Sequence, residues 1–284
     1  MLNDSEILQS AKDTILLESS SLSDLSAKLT KSFVDATKLI IKSKGRVVVT
    51  GIGKSAIIGQ KIVATMNSTG TAALFMHAAD AIHGDLGMIQ KDDVVICISK
   101  SGTSPEIKVL VPLLKAGGNP LIGMVGDLNS FLSLESDVIL DTTVEQEACP
   151  NNLAPTTSTT AQLAMGDALA VALLRCKNFK SEDFAKYHPG GALGKRLHLR
   201  LADIAKNNGL PHVSLNSNLP TIILGITKGR MGAVVVTEKD VVKGIITDGD
   251  LRRMLSKKVN LETTFASDIM TVNPKMMDYE AMAV

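Results

Sequence analysis

Residues Asp92 to Ile107 constrain the fold of this chain more than any other stretch. Five consecutive apolar residues, Val94-Val95-Ile96-Cys97-Ile98, follow the pair Asp92-Asp93. A short apolar run with polar bounds reads as a strand covered on both faces, which places it inside a parallel sheet. Hydroxyls then crowd the strand's exit, at Ser99, Ser101, Thr103 and Ser104. Gly102 frees the backbone in the middle of that turn. Pro105 suits the first position of a helix and Ser104 the cap before it. Glu106 falls in the first turn of that helix, which continues to Leu114. A strand end, several hydroxyls and a helix N-terminus together make an anion site, and a phosphate fits it without a guanidinium. An ordinary capped turn needs one hydroxyl, and this one carries four.

The rest of the chain repeats the strand-then-helix pattern. Arg46-Val47-Val48-Val49-Thr50 reads as a first strand running into Gly51-Ile52-Gly53-Lys54-Ser55 and a helix from Ala56 to Met66. The glycines allow close backbone approach to a ligand. They make neither a dinucleotide fingerprint, since Thr71-Ala72-Ala73 stands where an acid belongs, nor a P-loop, since one residue separates them. Lys54 is then a cation at a helix N-terminus, an unfavourable place unless an anion or polarised oxygen lies nearby; the alternative is a solvated surface lysine. Ala72–Met76 is a second strand, followed by His77, Asp80, His83, Gly84 and Asp85. That spacing matches no standard metal site, and contacts to a sugar hydroxyl, or no role at all, are equally open. Pro120–Gly126 and Asp137–Thr142 complete five strands, and the alternation argues for an α/β fold with a parallel sheet. Ligands of such sheets lie beyond the carboxyl ends of the strands, where Lys54, His77, Ser99 to Ser104 and Thr142 to Glu147 all fall.

Two helices are expected ahead of the first strand. One carries Ile7, Leu8, Ala11, Ile15 and Leu16 on a stripe. After a break at Ser19-Ser20-Ser21, the other carries Leu22, Leu25, Leu29, Phe33, Ala36 and Ile40. They brace the sheet or a partner subunit. Beyond the sheet, a proline-bounded loop holds Glu147, Thr156 to Thr160 lead into an apolar helix from Ala161 to Leu174, and His188 stands in a loop before Pro189-Gly190-Gly191. Loop-borne histidine is a functional candidate.

Composition excludes several classes of function. The 284 residues carry a net charge of +1, with 3% aromatics and no Trp, so neither a nucleic-acid surface nor an anionic-membrane surface is expected. No apolar run is long enough for a membrane span, and Met1 to Glu6 lack a signal-type layout. Cys97, Cys149 and Cys176 are scattered, which suits a reducing compartment. A cytoplasmic protein is the expectation.

The motifs Thr50-Gly51-Ile52-Gly53-Lys54-Ser55, His83-Gly84-Asp85-Leu86-Gly87, Ser99-Lys100-Ser101-Gly102, Glu147-Ala148-Cys149-Pro150, Leu153-Ala154-Pro155-Thr156 and His188 to Gly194 resemble, as a set, the sugar isomerase (SIS) family and its KpsF/GutQ group, the arabinose 5-phosphate isomerases. The resemblance covers residues 1–200. It implies a three-layer αβα sandwich with a five-stranded parallel sheet in flavodoxin-like order. It also implies interconversion of D-arabinose 5-phosphate and D-ribulose 5-phosphate for Kdo in lipopolysaccharide or capsule, a homotetramer, and no required cofactor. Catalytic roles are implied for Lys54, Glu106, Glu147 and His188. His77 and His83 are placed near substrate, with an inhibitory zinc at His77. The substrate-binding set comprises Gly53, Ser55, Gly70, Thr71, His77, His83, Ser99, Ser101, Gly102, Thr103 and Ser104.

Residues 208–262 look like a CBS motif, and 266–284 like the start of a second copy that the sequence does not complete. Thr247 and Asp250 match positions that contact phosphate and ribose. A nucleotide or CMP-Kdo regulator and a purely structural module are both open.

Aldose–ketose interconversion needs ring opening and transfer of one proton between adjacent carbons. A carboxylate serves if burial raises its pKa toward neutrality, and Glu147 or Glu106 is expected to do so, with Glu147 preferred for its irregular loop. His188, from a neighbouring subunit, suits ring opening. Lys54 suits charge on oxygen. A non-catalytic sugar-phosphate sensor and an isomerase for a different phosphosugar are the competing readings.

Overall fold

The computed structural model describes residues 2–191, 199–205, 210–257 and 260–283. It divides into two compact units, Met1–His188 and Pro189–Val284, so the division falls earlier than the expected boundary at 200. Of the motif that begins at His188, residues Ala192 to Gly194 lie outside the described residues, as do the first two positions of the expected 208–262 segment.

The first unit is built on a parallel sheet of β1 (Val47–Gly51), β2 (Ala73–His77), β3 (Val94–Ser99), β4 (Leu121–Val125) and β5 (Val138–Asp141) in the order β2-β1-β3-β4-β5. This is the expected α/β sandwich. Every residue of β1, β3 and β4 is buried, because helices cover both faces. On one face Val47, Val49, Val94, Ile96 and Ile98 pack with residues of α2 (Lys31–Lys42), α3 (Lys54–Ser68) and α7 (Thr157–Cys176). On the other, Val48, Val95 and Cys97 pack with α4 (Ala78–Ala81), α5 (Pro105–Gly117) and α6 (Phe131–Glu135). Alternate side chains of each strand thus enter opposite cores.

The N-terminal region departs from the expected pair of helices divided at Ser19-Ser20-Ser21. One helix, α1, runs unbroken from Asp4 to Ala27 behind an Asn3–Glu6 capping box. Serine costs a helix only a few tenths of a kcal/mol relative to Ala, roughly 0.5, and without Gly or Pro nothing stops the chain there. The halves still differ: Leu25 joins the core, while Ile7, Leu8, Ile15 and Leu16 remain 54–68% exposed.

The second unit has a four-stranded sheet of β6 (His212–Ser214), β7 (Ala233–Glu238), β8 (Val241–Thr247) and β9 (Thr271–Val272). β6 runs parallel to β7, and the other pairings are antiparallel. Helices Leu219–Gly229 and Asp248–Ser256 accompany it, and Val213, Ile222, Val234, Val236 and Ile246 form its core. Within the segment that looks like a CBS motif, β7, a turn, β8 and the helix Asp248–Ser256 follow one another directly. Among the described residues, no helix is long and apolar enough to cross a membrane.

Candidate active site

The strand order reverses between β1 and β3, and ligands of such sheets bind outside the carboxyl ends of the strands at that switch. A cleft of about 300 Å³ lies there, lined by Ile52, Lys54, Ser55, Ser99, Lys100, Ser101, Ser104, Pro155, Ser158 and Thr159 among others. These residues come from strand ends, from the turns that follow them and from the starts of three helices. Lys54 and Ser55 open α3, Ser104 is the N-cap of α5, and Ser158 and Thr159 lie in the first turn of α7. The N-termini of α3 and α5 supply backbone N–H groups and partial positive charge to an anion, while that of α7 is taken up by a buried carboxylate of the chain itself.

The turns that deliver them are locally determined. Gly53 caps α3 at φ +58°, ψ −129°, a conformation that L side chains rarely adopt. Gly102 sits at φ +62°, where a Cβ would collide with the Ser130 side chain. The Ser99 hydroxyl accepts the Gly102 N–H at 3.0 Å and closes the turn. Ser104 occupies the cap position as expected, yet its hydroxyl makes no capping bond and its buried oxygen has no internal partner. A buried hydroxyl facing a cleft without a partner is poised for a ligand, because leaving it unbonded costs about 1–3 kcal/mol.

Glu147 is 3% exposed. Its Oε2 accepts the N–H groups of Thr156 and Ser158, at 2.8 and 3.1 Å, and the Thr156 hydroxyl at 3.2 Å. The carboxylate therefore caps α7, whose own cap residue, Thr156, makes no side-chain bond to it. Its other oxygen lies 2.6 Å from the Lys100 ammonium. The expected upward pKa shift is reversed. Burial does push Glu147 up, but the bonds from Lys100, Ser158 and Thr156 outweigh it and hold the carboxyl at about 2.

Of the expected site residues, the cleft brings together Lys54, Ser55, Ser99, Ser101 and Ser104, with Glu147 directly behind Lys100 and Ser158. Gly53 and Gly102 shape its turns. Thr103 is exposed beside it, its N–H directed at the Ser101 hydroxyl. Glu106, half-buried in the first turn of α5, is not among the lining residues. Nor is His188, which caps the end of α8 (Ser181–Tyr187), stacks on Phe184 at 3.8 Å and has Nδ1 2.9 Å from the Phe184 carbonyl. His77 ends β2 with Nδ1 3.7 Å from Asp80, and His83 is exposed in the following turn. Neither lines the cleft, and among the described residues no three potential metal ligands gather.

Gly70 and Thr71 do not belong with this set. They precede β2, at the amino edge of a parallel sheet and thus across the sheet from the cleft. Gly70 (φ +80°) packs under Phe179, and Lys177 donates to the Gly70 carbonyl and the Thr71 hydroxyl. Lys100, Ser158 and Thr159 are members without an assigned role in the sequence reading. The run Thr156 to Thr160 was the signal for Ser158 and Thr159: it is a second burst of hydroxyls at a helix start, like Ser99 to Ser104. In the second unit, Thr247 and Asp250 form a capping box, and Asp250 also pairs with Arg253 at 2.6 Å.

A doubly wound α/β unit with a hydroxyl-lined anion cleft at its switch point defines a phosphosugar-binding protein of the SIS type, and residues 39–172 match the SIS domain. The chain belongs to the arabinose 5-phosphate isomerase family. It is 47% identical over 280 residues to the arabinose 5-phosphate isomerase KdsD of Pseudomonas aeruginosa, covering 98% of this chain and 86% of that one. It is 43% identical over 283 residues to the arabinose 5-phosphate isomerase KpsF of Escherichia coli O6:H1, covering 99% and 86%. A solved Escherichia coli CFT073 structure in complex with arabinose 5-phosphate superposes with a TM-score of 0.64 at 39% identity, over 66% of this chain and all of that one.

Proposed function

We propose that this protein interconverts D-arabinose 5-phosphate and D-ribulose 5-phosphate, supplying the pentose phosphate for Kdo. The convergence of the N-termini of α3 and α5, an unpartnered Ser104 hydroxyl and two lysines on one cleft carries the reading. That convergence suits a phosphate at one end and developing negative charge at the other, and the relatives supply the sugar.

In the proposed reaction Ser99, Ser101, Thr103 and Ser104 hold the phosphate, whose binding energy positions the reacting carbons. His188, from a neighbouring copy of the chain, opens the sugar ring by moving a proton from the anomeric hydroxyl to the ring oxygen. A carboxylate then removes the proton at C2. The electron pair forms the C1–C2 double bond of an enediolate, whose charge on O1 faces Lys54. The carboxyl, whose proton exchanges with solvent while the enediolate lasts, returns a proton to C1 as the O2 hydroxyl proton moves to O1, leaving the carbonyl at C2. Glu147 is the preferred base. Glu106, at a helix start, positions a hydroxyl. No cofactor enters these steps. The exposed stripe of Ile7, Leu8, Ile15 and Leu16 supports assembly with further copies, as a homotetramer, and the composition supports a cytoplasmic enzyme. The second unit's strand–strand–helix segment supports a CBS-type module with a nucleotide or CMP-Kdo as regulator through Thr247 and Asp250.

Incubation with arabinose 5-phosphate in D₂O, followed by NMR, tests the reaction. Ribulose 5-phosphate should appear and deuterium should enter at C2 of recovered aldose. Binding with neither outcome would reduce the protein to a sensor, and turnover of another phosphosugar alone would change the substrate.

A further inference from the structure

Glu147 as found is a poor base. A carboxyl held at about 2 has little affinity for a carbon-bound proton at neutral pH, since general bases work best with a pKa near the working pH. The group that holds it down is itself free to move. The Lys100 side chain is 43% exposed while that of Glu147 is fully enclosed. Lys100 grows from the turn between Ser99 and Ser101 and lines the same cleft as Lys54, Ser55 and Ser104. Its ammonium is a point charge on a flexible stem, able to pivot between two anions. A phosphate ester brings about two negative charges to that cleft, against one on Glu147.

We propose that Lys100 is a positioning residue that clamps Glu147 in the sugar-free protein and is drawn off it by the phosphate of the bound sugar, so that Glu147 becomes a working base only with substrate in place. The proposal rests on the isomerase reading above. Once the ammonium leaves, Glu147 keeps the Thr156 and Ser158 N–H bonds but remains buried, and burial raises a carboxyl's pKa. The other titratable groups about it do not substitute for Lys100: Lys54 lines the cleft at the start of α3, and the Cys149 thiol in the same loop carries no positive charge.

Carbon-13 NMR of the full chain with carboxyl-labelled glutamate tests this, with Glu147 assigned through Glu147→Gln. The signal is followed from about pH 7 to about pH 4, the window in which an unclamped buried carboxyl titrates. The free protein should show a flat signal. Saturating sulfate, a dianion throughout that window, should make it titrate inside that window, and Lys100→Met should do the same without sulfate. Lys100→Arg should remain flat. In turnover, Lys100→Met should raise KM for arabinose 5-phosphate about tenfold or more, the worth of one charge-assisted hydrogen bond, with a smaller loss of kcat than Glu147→Gln. A signal that stays flat in wild-type protein with bound sulfate overturns the proposal, and this arm needs no variant to fold. So does a Lys100→Met protein with unchanged KM and unchanged titration. An active wild-type enzyme with a flat signal removes only the Lys100 role, whereas an inactive wild-type protein removes the isomerase reading.

Discussion

Replacing Glu147 with Gln should abolish a pH-dependent part of the first unit's stability, and its size follows from the site. The carboxyl sits at about 2 in the folded protein against an ordinary value of 4.5. Its folded pKa is depressed, so its stabilisation is fully present above the ordinary value and is lost as pH falls toward 2. At about 1.4 kcal/mol per unit, the full difference is roughly 3 kcal/mol. The side chain is enclosed, so solvent screens little of it. Between about pH 3 and about pH 5.5 the linkage relation gives a change of about 2 kcal/mol. Glutamine keeps the volume and one acceptor for the Thr156 and Ser158 N–H groups but cannot titrate. All other carboxylates are common to both proteins and cancel in the comparison. Urea titrations followed by hydrogen exchange of β3 peptides read the first unit alone, which matters in a chain of two units. The stability gap between wild type and Glu147→Gln should widen by about 2 kcal/mol as pH rises through that range. Parallel curves would show that the α7 N-terminus and Lys100 do not hold the carboxylate as described.

Ser104→Ala should leave the melting temperature almost unchanged, because its hydroxyl has no internal partner, yet weaken sugar-phosphate binding about tenfold. An unchanged KM would take Ser104 out of the phosphate cradle. Gly102→Ala forces a side chain into φ +62° and against Ser130; it should cost at least about 1 kcal/mol, measured by urea unfolding, and a neutral result would mean the turn is not under this constraint. Asp93 is 1% exposed and accepts bonds from the Arg46 and Gln90 N–H groups and the Arg46 guanidinium. Burial raises its pKa, but these bonds win and hold it below the ordinary value. Asp93→Ala should therefore cost about 2–4 kcal/mol near neutral pH, with the loss shrinking in acid as the wild-type carboxyl is protonated. A loss independent of pH would refute the ionised pairing.

The apolar runs at 47–49 and 94–98 by themselves determined central strands, because an uninterrupted apolar run flanked by turn residues has to be buried on both faces. The turns after them were equally legible. Gly53, Gly102 and the hydroxyls of Ser99 to Ser104 announce their geometry through local backbone and capping chemistry. Lys54 was also readable as a cation misplaced at a helix start. Tertiary structure decided the rest. Strand order β2-β1-β3 is set by packing between segments distant in sequence, and it alone brings the starts of α3 and α5 together and seats α7 beside them. The placement of Gly70 and Thr71 at the opposite edge follows from the parallel direction shared by all five strands. Burial alone predicted a raised Glu147. The sign of the shift came from Lys100, Thr156 and Ser158, whose bonds depend on distances of about 3 Å that no spacing along the chain encodes. Patterning of apolar and polar residues reports what must be covered; which charge ends up against which carboxylate is settled only when separate elements close on one another.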